Sequence, residues 1–505
     1  MKTNKNRTRV ITGVTTAIFG MALIGLVSCS SGDSTSNTVA PGGSAGLQGP
    51  IVFVNNTATS SLTSVALKGD SGNAVVNTIP ATDFEGVALG DMQLSDGDWV
   101  FMNLGAAGKV AAIDPKTAAT PFRKLNVPTG TRPVHLYRDP NDGEVIWIMN
   151  DGDNLGGPAT AGDDLVNCAA QGGGSVTAVH NSHFGPGGVD PVALGTVCLL
   201  ADGHKVAAFS SGPGMPKRVF VSSETAGEIA VIDDDEASPT YGDMINRIDL
   251  CDPGKEACNI EDGTGPTAFS PNASAPHGIR WSKHTKKIYS VQEGYGEIAE
   301  IDPITYTVTP IFTLTGSPYS AFGISPDGRF LLLRGQTTVP QATKLGVIDL
   351  GNGNLLTDFD IPALNGSAPG AFKFSPDGKR FYILAANSAL VTVTTKDRLF
   401  AFDSSTLTAA TPTLTLLRPI PLVATGAHSF DVLAQTPTGA PVGTPGEAKY
   451  IVVSNGIDNS LSIINAADNQ VKDTVQNVGS TVGSVLGGVM IFAPGTGLSG
   501  NQASS

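Results

Sequence analysis

The sequence predicts an all-β fold built from a repeated four-stranded unit, and three observations support that prediction. The 505 residues include 61 Gly and 33 Pro, with 40% hydrophobic and only 15% charged residues, a composition typical of a turn-rich globular protein. From residue 51 on, short alternating apolar runs are separated by turns, and no segment keeps a helical period. Variants of one strand motif also recur along the chain.

Residues 1–28 are predicted to be a signal peptide. Four basic residues precede an apolar stretch that is too short, and too interrupted by Thr and Gly, to favour a membrane span. The stretch ends in LVSC, which resembles the lipobox of bacterial lipoproteins. This resemblance implies cleavage before Cys29 and a lipid anchor on that cysteine. Ser30 then implies an outer-membrane lipoprotein of the bacterial envelope, facing the periplasm or the cell exterior.

The remaining chain divides into three predicted parts. Residues 29–49 are rich in Ser and Gly and are expected to form a flexible tether, because they offer little apolar surface to bury. Residues 50–494 carry the repeats and form the folded domain. Residues 495–505 are expected to be a disordered tail.

The repeated unit is an apolar strand followed by a strand that ends in an Asp turn. The Asp-ending strand reads GKVAAID, GEIAVID, GEIAEID, KLGVID and RLFAFD, and the apolar strand before it, the second of the unit, reads WVFMN, RVFVSS, KIYSV, RFLLL and RFYIL. SPDG turns at Ser325 and Ser375 precede two of these units, and degenerate forms precede others. Pro and Gly suit such tight turns. Each unit therefore reads as a strand, an SPDG-like turn and three further strands, which is a propeller blade.

This combination resembles the YVTN-type repeat β-propellers of the bacterial envelope. The resemblance covers most of residues 51–493 and implies a single propeller. Counting the second strands gives about eight four-stranded blades, with seven possible. The chain begins with a second strand, IVFVNN, and ends with an unpaired strand, VLGGVMIF. We therefore expect the C-terminal strand to pair in the N-terminal blade and close the ring.

Five residues fall at or near one repeated position, the start of the first strand of a blade. Because a strand has a period of two, residues at matching positions share an orientation. The first strand of a propeller blade is also its innermost, so these side chains are predicted to converge at the mouth of the central channel. They are Glu85, His135, His204, His277 and His428.

Three interpretations of this position are open. Neutral imidazoles and a carboxylate could coordinate copper, zinc or iron. The side chains could contact an organic ligand. Alternatively, each histidine could hydrogen-bond within its own blade and fix a loop to a strand, as histidines at this point do in related propellers.

Four cysteines besides Cys29 make an even number, as expected for disulfides in an oxidising compartment. Cys251 and Cys258 flank a Pro-Gly turn that a disulfide could close, and Cys168 and Cys198 would then pair. A metal site is the competing interpretation, but the cysteines lack the CxxC spacing. Two acidic segments, 151–164 and 233–243, could offer oxygen ligands to calcium or be solvated loops.

The formal charge of −14 argues against nucleic-acid binding and predicts membrane attachment through the lipid alone. No catalytic motif is recognisable, so enzymatic activity stays unassigned. The leading prediction is a binding or scaffold module for another envelope or extracellular protein, docked by the insert around Cys168 or the acidic segment after Ile232. The alternative is a metal-dependent enzyme or electron-transfer accessory that uses the histidines. The sequence does not predict an oligomeric state.

Overall fold

Eight antiparallel sheets of four strands each make up the computed structural model of the protein. It describes residues 49–96, 99–115, 123–152, 174–181, 190–199, 201–259, 271–335, 343–364, 368–386, 397–422, 426–441, 444–479 and 486–493. The predicted signal peptide with Cys29, almost all of the tether and the C-terminal tail lie outside these ranges. Within them, no helix combines the length and the apolar character needed to cross a bilayer.

The first four blades follow one another along the chain, apart from the last strand of blade 1. Blade 1 contains β1 (Ile51–Asn56), β2 (Ser61–Ala66), β3 (Ala74–Ile79) and the C-terminal β32 (Leu486–Phe492). Blade 2 contains β4 (Met92–Leu94), β5 (Val100–Leu104), β6 (Lys109–Asp114) and β7 (Arg123–Pro128). Blade 3 contains β8 (Pro133–Arg138), β9 (Val145–Asn150), β10 (Ser175–His180) and β11 (Val192–Cys198). Blade 4 contains β12 (Lys205–Ser210), β13 (Arg218–Ser223), β14 (Glu228–Asp233) and β15 (Met244–Asp249).

The other four blades repeat the same order. Blade 5 contains β16 (Pro276–Ser282), β17 (Lys287–Gln292), β18 (Glu297–Ile301) and β19 (Val308–Thr313). Blade 6 contains β20 (Tyr319–Ile324), β21 (Phe330–Gly335), β22 (Lys344–Asp349) and β23 (Leu355–Asp360). Blade 7 contains β24 (Ala368–Phe374), β25 (Arg380–Ala386), β26 (Arg398–Asp403) and β27 (Thr415–Pro421). Blade 8 contains β28 (Ala427–Gln435), β29 (Glu447–Asn455), β30 (Ser460–Asn465) and β31 (Gln470–Val475). Short 3-10 helices cover Ala81–Phe84, Gly105–Ala107, Leu350–Asn352 and Pro362–Leu364.

The sheets stand in a ring, which makes the fold a β-propeller of eight blades and confirms the predicted architecture. The first strand is innermost in blades 2–8, the C-terminal strand is innermost in blade 1, and most of these strands contact the innermost strand of a neighbouring blade. Blades 6 and 7 come so close that a Cβ added at Gly323 of β20 would lie 2.2 Å from the ring of Phe372 in β24. The ring is therefore continuous through its centre.

The hydrophobic core lies between neighbouring sheets. The central strands are almost wholly buried, because both of their faces pack against other blades; every residue of β1, β9 and β14 is buried. Outer strands such as β11 and β27 are largely exposed. This burial explains why the central strands read as continuous apolar runs while the outer strands gave only weak sequence signals.

The C-terminal strand closes the ring, as predicted. β32 pairs antiparallel with β1, and Ile51 stands opposite Phe492. β32 takes the innermost position of blade 1 and contacts the innermost strands β28 and β4 on either side. The two ends of the described chain therefore belong to one sheet.

Candidate functional site

Three of the predicted histidines contact one another where the innermost strands of blades 3, 4 and 5 begin. The ring centroids of His135 and His204 are 4.7 Å apart with nearly perpendicular planes. Those of His204 and His277 are 4.8 Å apart with nearly parallel planes. His135 lies in β8, His204 immediately precedes β12, and His277 lies in β16. We call His135, His204 and His277 the histidine cluster.

Asp91 extends the cluster to blade 2. It immediately precedes β4, and its Oδ2 lies 2.6 Å from His135 Nδ1. Burial lowers the pKa of His135, but the hydrogen bond to Asp91 and the negative charge of that carboxylate outweigh burial, so the net shift is upward. A carboxylate on Nδ1 fixes the orientation of an imidazole and leaves Nε2 available to a ligand.

His204 occupies the middle of the cluster with an unsatisfied ring nitrogen. Its Nε2 is buried and has no hydrogen-bond partner, while its Nδ1 lies 3.9 Å from Asp151 Oδ2. Burial, reinforced by the positive charges of His135 and His277, lowers the pKa of His204 to about 3. The imidazole is therefore neutral at physiological pH and keeps a lone pair on one nitrogen.

Asp151 is a second buried group with an unused atom beside the cluster. It follows β9 and is only 4% exposed, and its Oδ1 has no hydrogen-bond partner. Burial raises the pKa of Asp151 to about 6, although the charge of Lys205 opposes the shift. Leaving a buried polar atom unpaired costs about 1–3 kcal/mol, and His204 and Asp151, which are neighbours, each have one such atom.

Arg280 and Tyr137 lie close to the same histidines. Tyr137 is buried, and its ring centroid is 6.2 Å from that of His135. The charge of Arg280 lowers the pKa of His135, and burial lowers the pKa of Arg280 itself. Arg280 donates a hydrogen bond to the carbonyl of Ile279 over 2.7 Å. The site therefore combines a guanidinium with two carboxylates, Asp91 and Asp151.

Glu85 does not lie at the start of an innermost strand, so its alignment with the histidines is wrong. It follows the 3-10 helix Ala81–Phe84 with a φ of 57°, and its Oε1 lies 2.7 Å from Lys109 Nζ. The innermost strand of blade 2 is β4, which begins later. The segment that the apolar pattern EGVAL assigned to a strand, 85–89, is instead a turn and an irregular stretch between the 3-10 helix and β4.

His428 lies in β28, an innermost strand, as expected, but blade 8 is not adjacent to blades 3–5. The side chain is exposed and forms no ring contact or ion pair with the part of the chain that the structure describes. His277 also has an exposed side chain, and its Nδ1 lies 3.4 Å from Glu293 Oε1. Of the five predicted residues, three come together.

The sequence carried a signal for Asp91 that apolar alignment missed. Ser95 and Asp139 hold equivalent turn positions, because the backbone amide of each bonds the carbonyl of a residue at or next to the start of the second strand. Asp91 precedes Ser95 by as many residues as His135 precedes Asp139. Counting back from the turn would have placed Asp91 in the cluster instead of Glu85.

The side chains of the histidine cluster are not arranged to coordinate a metal ion in this structure. In the described ranges, no three His, Cys, Asp or Glu side chains stand ready to hold a metal ion together. The rings of His204 and His277 are stacked, so their nitrogens do not point at a common centre. Binding one ion through all three imidazoles would require rotation of the rings about their side-chain torsions.

One predicted disulfide is present between Cys251 and Cys258, with Cα atoms 5.7 Å apart. Cys198 is also disulfide-bonded, and its expected partner Cys168 lies outside the described residues. Cys29 is likewise outside them.

The acidic segment 233–243 forms an ordered loop. Asp233 accepts hydrogen bonds from Ser238 over 2.6 Å, from Thr240 and from Arg218. These bonds leave its carboxylate little capacity for an outside partner. Most of the other acidic segment, 151–164, and the insert around Cys168 lie outside the described residues.

Comparisons with known proteins find solved structures of low sequence identity. No protein-family model matches the sequence, and no curated protein matches it. The periplasmic gluconolactonase of Pseudomonas aeruginosa is 16% identical with a TM-score of 0.48, over 88% of this chain and 99% of that one. The apo AztD protein of Citrobacter koseri is 12% identical with a TM-score of 0.47, over 88% and 98%. Virginiamycin B lyase of Staphylococcus aureus is 15% identical with a TM-score of 0.39, over 66% and 87%. At this level the likeness is one of fold alone and carries no argument about chemistry.

Proposed function

We propose that the protein is a metal-binding propeller of the bacterial envelope, and that its histidine cluster binds one divalent transition-metal ion. The observation that carries the proposal is the contact of three imidazoles from successive blades around the buried, unpaired Nε2 of His204. Imidazole nitrogen is a preferred ligand of zinc and copper, and an ion there would satisfy that nitrogen.

The surroundings of the cluster support a cationic ligand. Asp91 orients His135 through Nδ1, which is the arrangement that metal-bound histidines commonly have. Asp151 adds a second carboxylate whose Oδ1 is unpaired. These two carboxylates offset the charge of Arg280, which on its own would repel a cation.

The proposal concerns binding and not catalysis. The structure brings no nucleophile and base together at this site in the described residues, and enzymatic activity stays unassigned. The docking of another envelope or extracellular protein at the insert around Cys168 stays a prediction, since that insert is not described.

Metal titration of the purified propeller tests the proposal. We expect calorimetry with Zn²⁺ or Cu²⁺ to show one site per chain, and His204→Ala to weaken binding at least about tenfold, because it removes the central imidazole. Asp91→Asn should weaken binding less than His204→Ala does, since it removes no imidazole and only weakens the hydrogen bond that orients His135.

His428→Ala is the matched control. It removes a histidine from the same strand position of a distant blade, and we expect unchanged affinity. Elemental analysis of protein never exposed to chelator gives a second readout. Equal binding by wild type and His204→Ala, or no binding by wild type, would refute the proposed function.

We further propose that the chain is anchored by lipid at Cys29, on the strength of the LVSC motif. Cells expressing the full chain should incorporate radiolabelled palmitate into the protein, and Cys29→Ser should abolish the label because it removes the thiol that carries the lipid. Cys251→Ser serves as a control that keeps the label. Labelling of the Cys29→Ser variant would exclude this anchor.

A further inference from the structure

A cleft of about 700 Å³ opens between blades 2 and 3, beside the histidine cluster. Its walls are the segment before β4 (88–91) and the segment that leads into β8 (131–134), and the turn between β5 and β6 (105–108) forms the third side. The volume is in the range of pockets that take small organic molecules. The metal proposal above makes no use of this space.

The cleft exists because its lining residues are small. Ala88 and Ala106 are exposed on its walls, and Gly108 approaches Gly130 so closely that an added Cβ would lie 3.1 Å from the Gly130 carbonyl oxygen. Leu89 and Pro133 also line the cleft, although both are buried. The greater part of the lining can therefore contact hydrocarbon.

Arg132 is the cation of the cleft. It is exposed, and its side chain forms no hydrogen bond or ion pair with the residues that the structure describes. Its φ of 59° lies in the left-handed region that favours glycine, and its carbonyl accepts a hydrogen bond from the Asp151 amide over 3.0 Å. The backbone thus holds an arginine in an unfavourable conformation at this rim.

The electrostatics of the cleft favour an anion. The acidic lining residue, Asp91, is already hydrogen-bonded to His135. The charge of Arg132 acts on the buried carboxylate of Asp151, but the two side chains form no ion pair, so the exposed guanidinium can still pair with a bound anion. A guanidinium presents paired donors that match the two oxygens of a carboxylate.

We propose that this cleft binds a small organic carboxylate, with Arg132 pairing the carboxylate and the apolar walls packing the hydrocarbon part. The site adjoins the histidine cluster through Asp91, which lines the cleft and hydrogen-bonds to His135, but it does not depend on a bound metal. Both open on the same end of the propeller, because the cleft lies where β4 and β8 begin.

The test uses 4-phenylbutyrate and its neutral counterpart 4-phenyl-1-butanol as probes, with the metal-free propeller in a buffer that contains no carboxylate. We expect wild type to bind 4-phenylbutyrate in calorimetry or ligand-observed NMR. Arg132→Gly should weaken that binding about tenfold or more through loss of the charge-assisted bonds. Glycine suits the left-handed backbone, so this variant should fold normally.

Three controls make the outcome decisive. The neutral alcohol should bind wild type and Arg132→Gly alike, and Arg132→Lys should fall between wild type and Arg132→Gly for the carboxylate. Ala106→Trp should weaken both probes because it fills the cleft. Equal carboxylate affinity in wild type and Arg132→Gly, or no carboxylate binding by wild type, overturns the proposal. Zn²⁺ titration of wild type and Arg132→Gly separates the two proposals. If wild type does not bind Zn²⁺, the metal proposal fails while the cleft proposal stands, because carboxylate binding does not need a metal.

Discussion

At the scale of single residues, the structure places a pair of buried carboxyl groups at the boundary of blades 3 and 4. Asp139 and Asp234 are 1% and 3% exposed, and their side chains share a hydrogen bond. Trp147 Nε1 donates to Asp139 over 3.1 Å, and Asn141 Nδ2 donates to Asp234 over 2.7 Å. Burial, together with the hydrogen bond and charge of Asp139, raises the pKa of Asp234 far above its ordinary range. The pair therefore holds a proton at neutral pH.

This pair should make stability depend on pH. Asp234 in the unfolded chain ionises near a pKa of about 3.9, whereas in the folded chain its pKa is raised. The stabilisation is complete below the unfolded value and is lost as the pH rises towards the folded value. Asp234→Asn does not ionise, and its amide can still donate to Asp139. We expect this variant to exceed wild type by at least about 1.4 kcal/mol at pH 8 in urea unfolding, and to match it near pH 4.

Asp243→Asn is the control on the same loop, because Asp243 is exposed and should change little at either pH. A parallel pH dependence in wild type and Asp234→Asn would show that the pair does not share a proton.

The residue scale also shows where sequence reasoning stopped. The clustering of His135, His204 and His277 could be predicted from their repeated position. The place of Asp151 could not, because this residue follows a second strand and not the turn before a first one, and it meets His204 only in the folded ring. β-bulges near His135 and His277 also shift the register, so simple alternation does not fix the direction of these rings.

At the scale of elements, the SPDG turns could be predicted because hydrogen bonds between residues close in sequence stabilise them. Ser325 Oγ donates to Asp327 and accepts the Phe330 amide over 3.0 Å, while Gly328 supplies a φ of 77°. The same bonds recur at Ser375. Short-range hydrogen bonds of this kind depend on few residues and therefore leave a readable pattern. A strand as short as β4, which has only three residues, does not leave such a pattern.

Among the strands, β32 is the one whose deletion we expect to lower the stability of the protein most. Val489, Met490 and Ile491 of β32 are at most 3% exposed, and the Ile491 amide donates to Asp431 over 2.8 Å. Burial of each such side chain contributes about 1.5–3 kcal/mol, so their sum approaches the whole stability of a typical domain. We expect deletion of residues 483–505 to abolish cooperative thermal unfolding. Deletion of 495–505 keeps β32 and should leave the melting curve unchanged, and an unchanged curve for the longer deletion would contradict closure by this strand.

At the scale of the whole molecule, the blade number and the ring closure followed from counting strands. Counting strands could not show which side chains of different blades come close together in the ring. His428 has the same local context as the clustered histidines, yet it lies in blade 8, which is not adjacent to blades 3–5. Spatial convergence is a property of the ring and not of any repeat, so local sequence could suggest the cluster but not select its members.

The pairing of Ile51 with Phe492 fixes the side on which the chain enters the ring. Innermost strands begin at the end that carries the imidazoles, and β32 finishes at the other end, opposite Ile51. Residues 49 and 50 therefore meet the ring at the end opposite the histidine cluster. The histidine-bearing end of the propeller consequently carries neither terminus of the described chain.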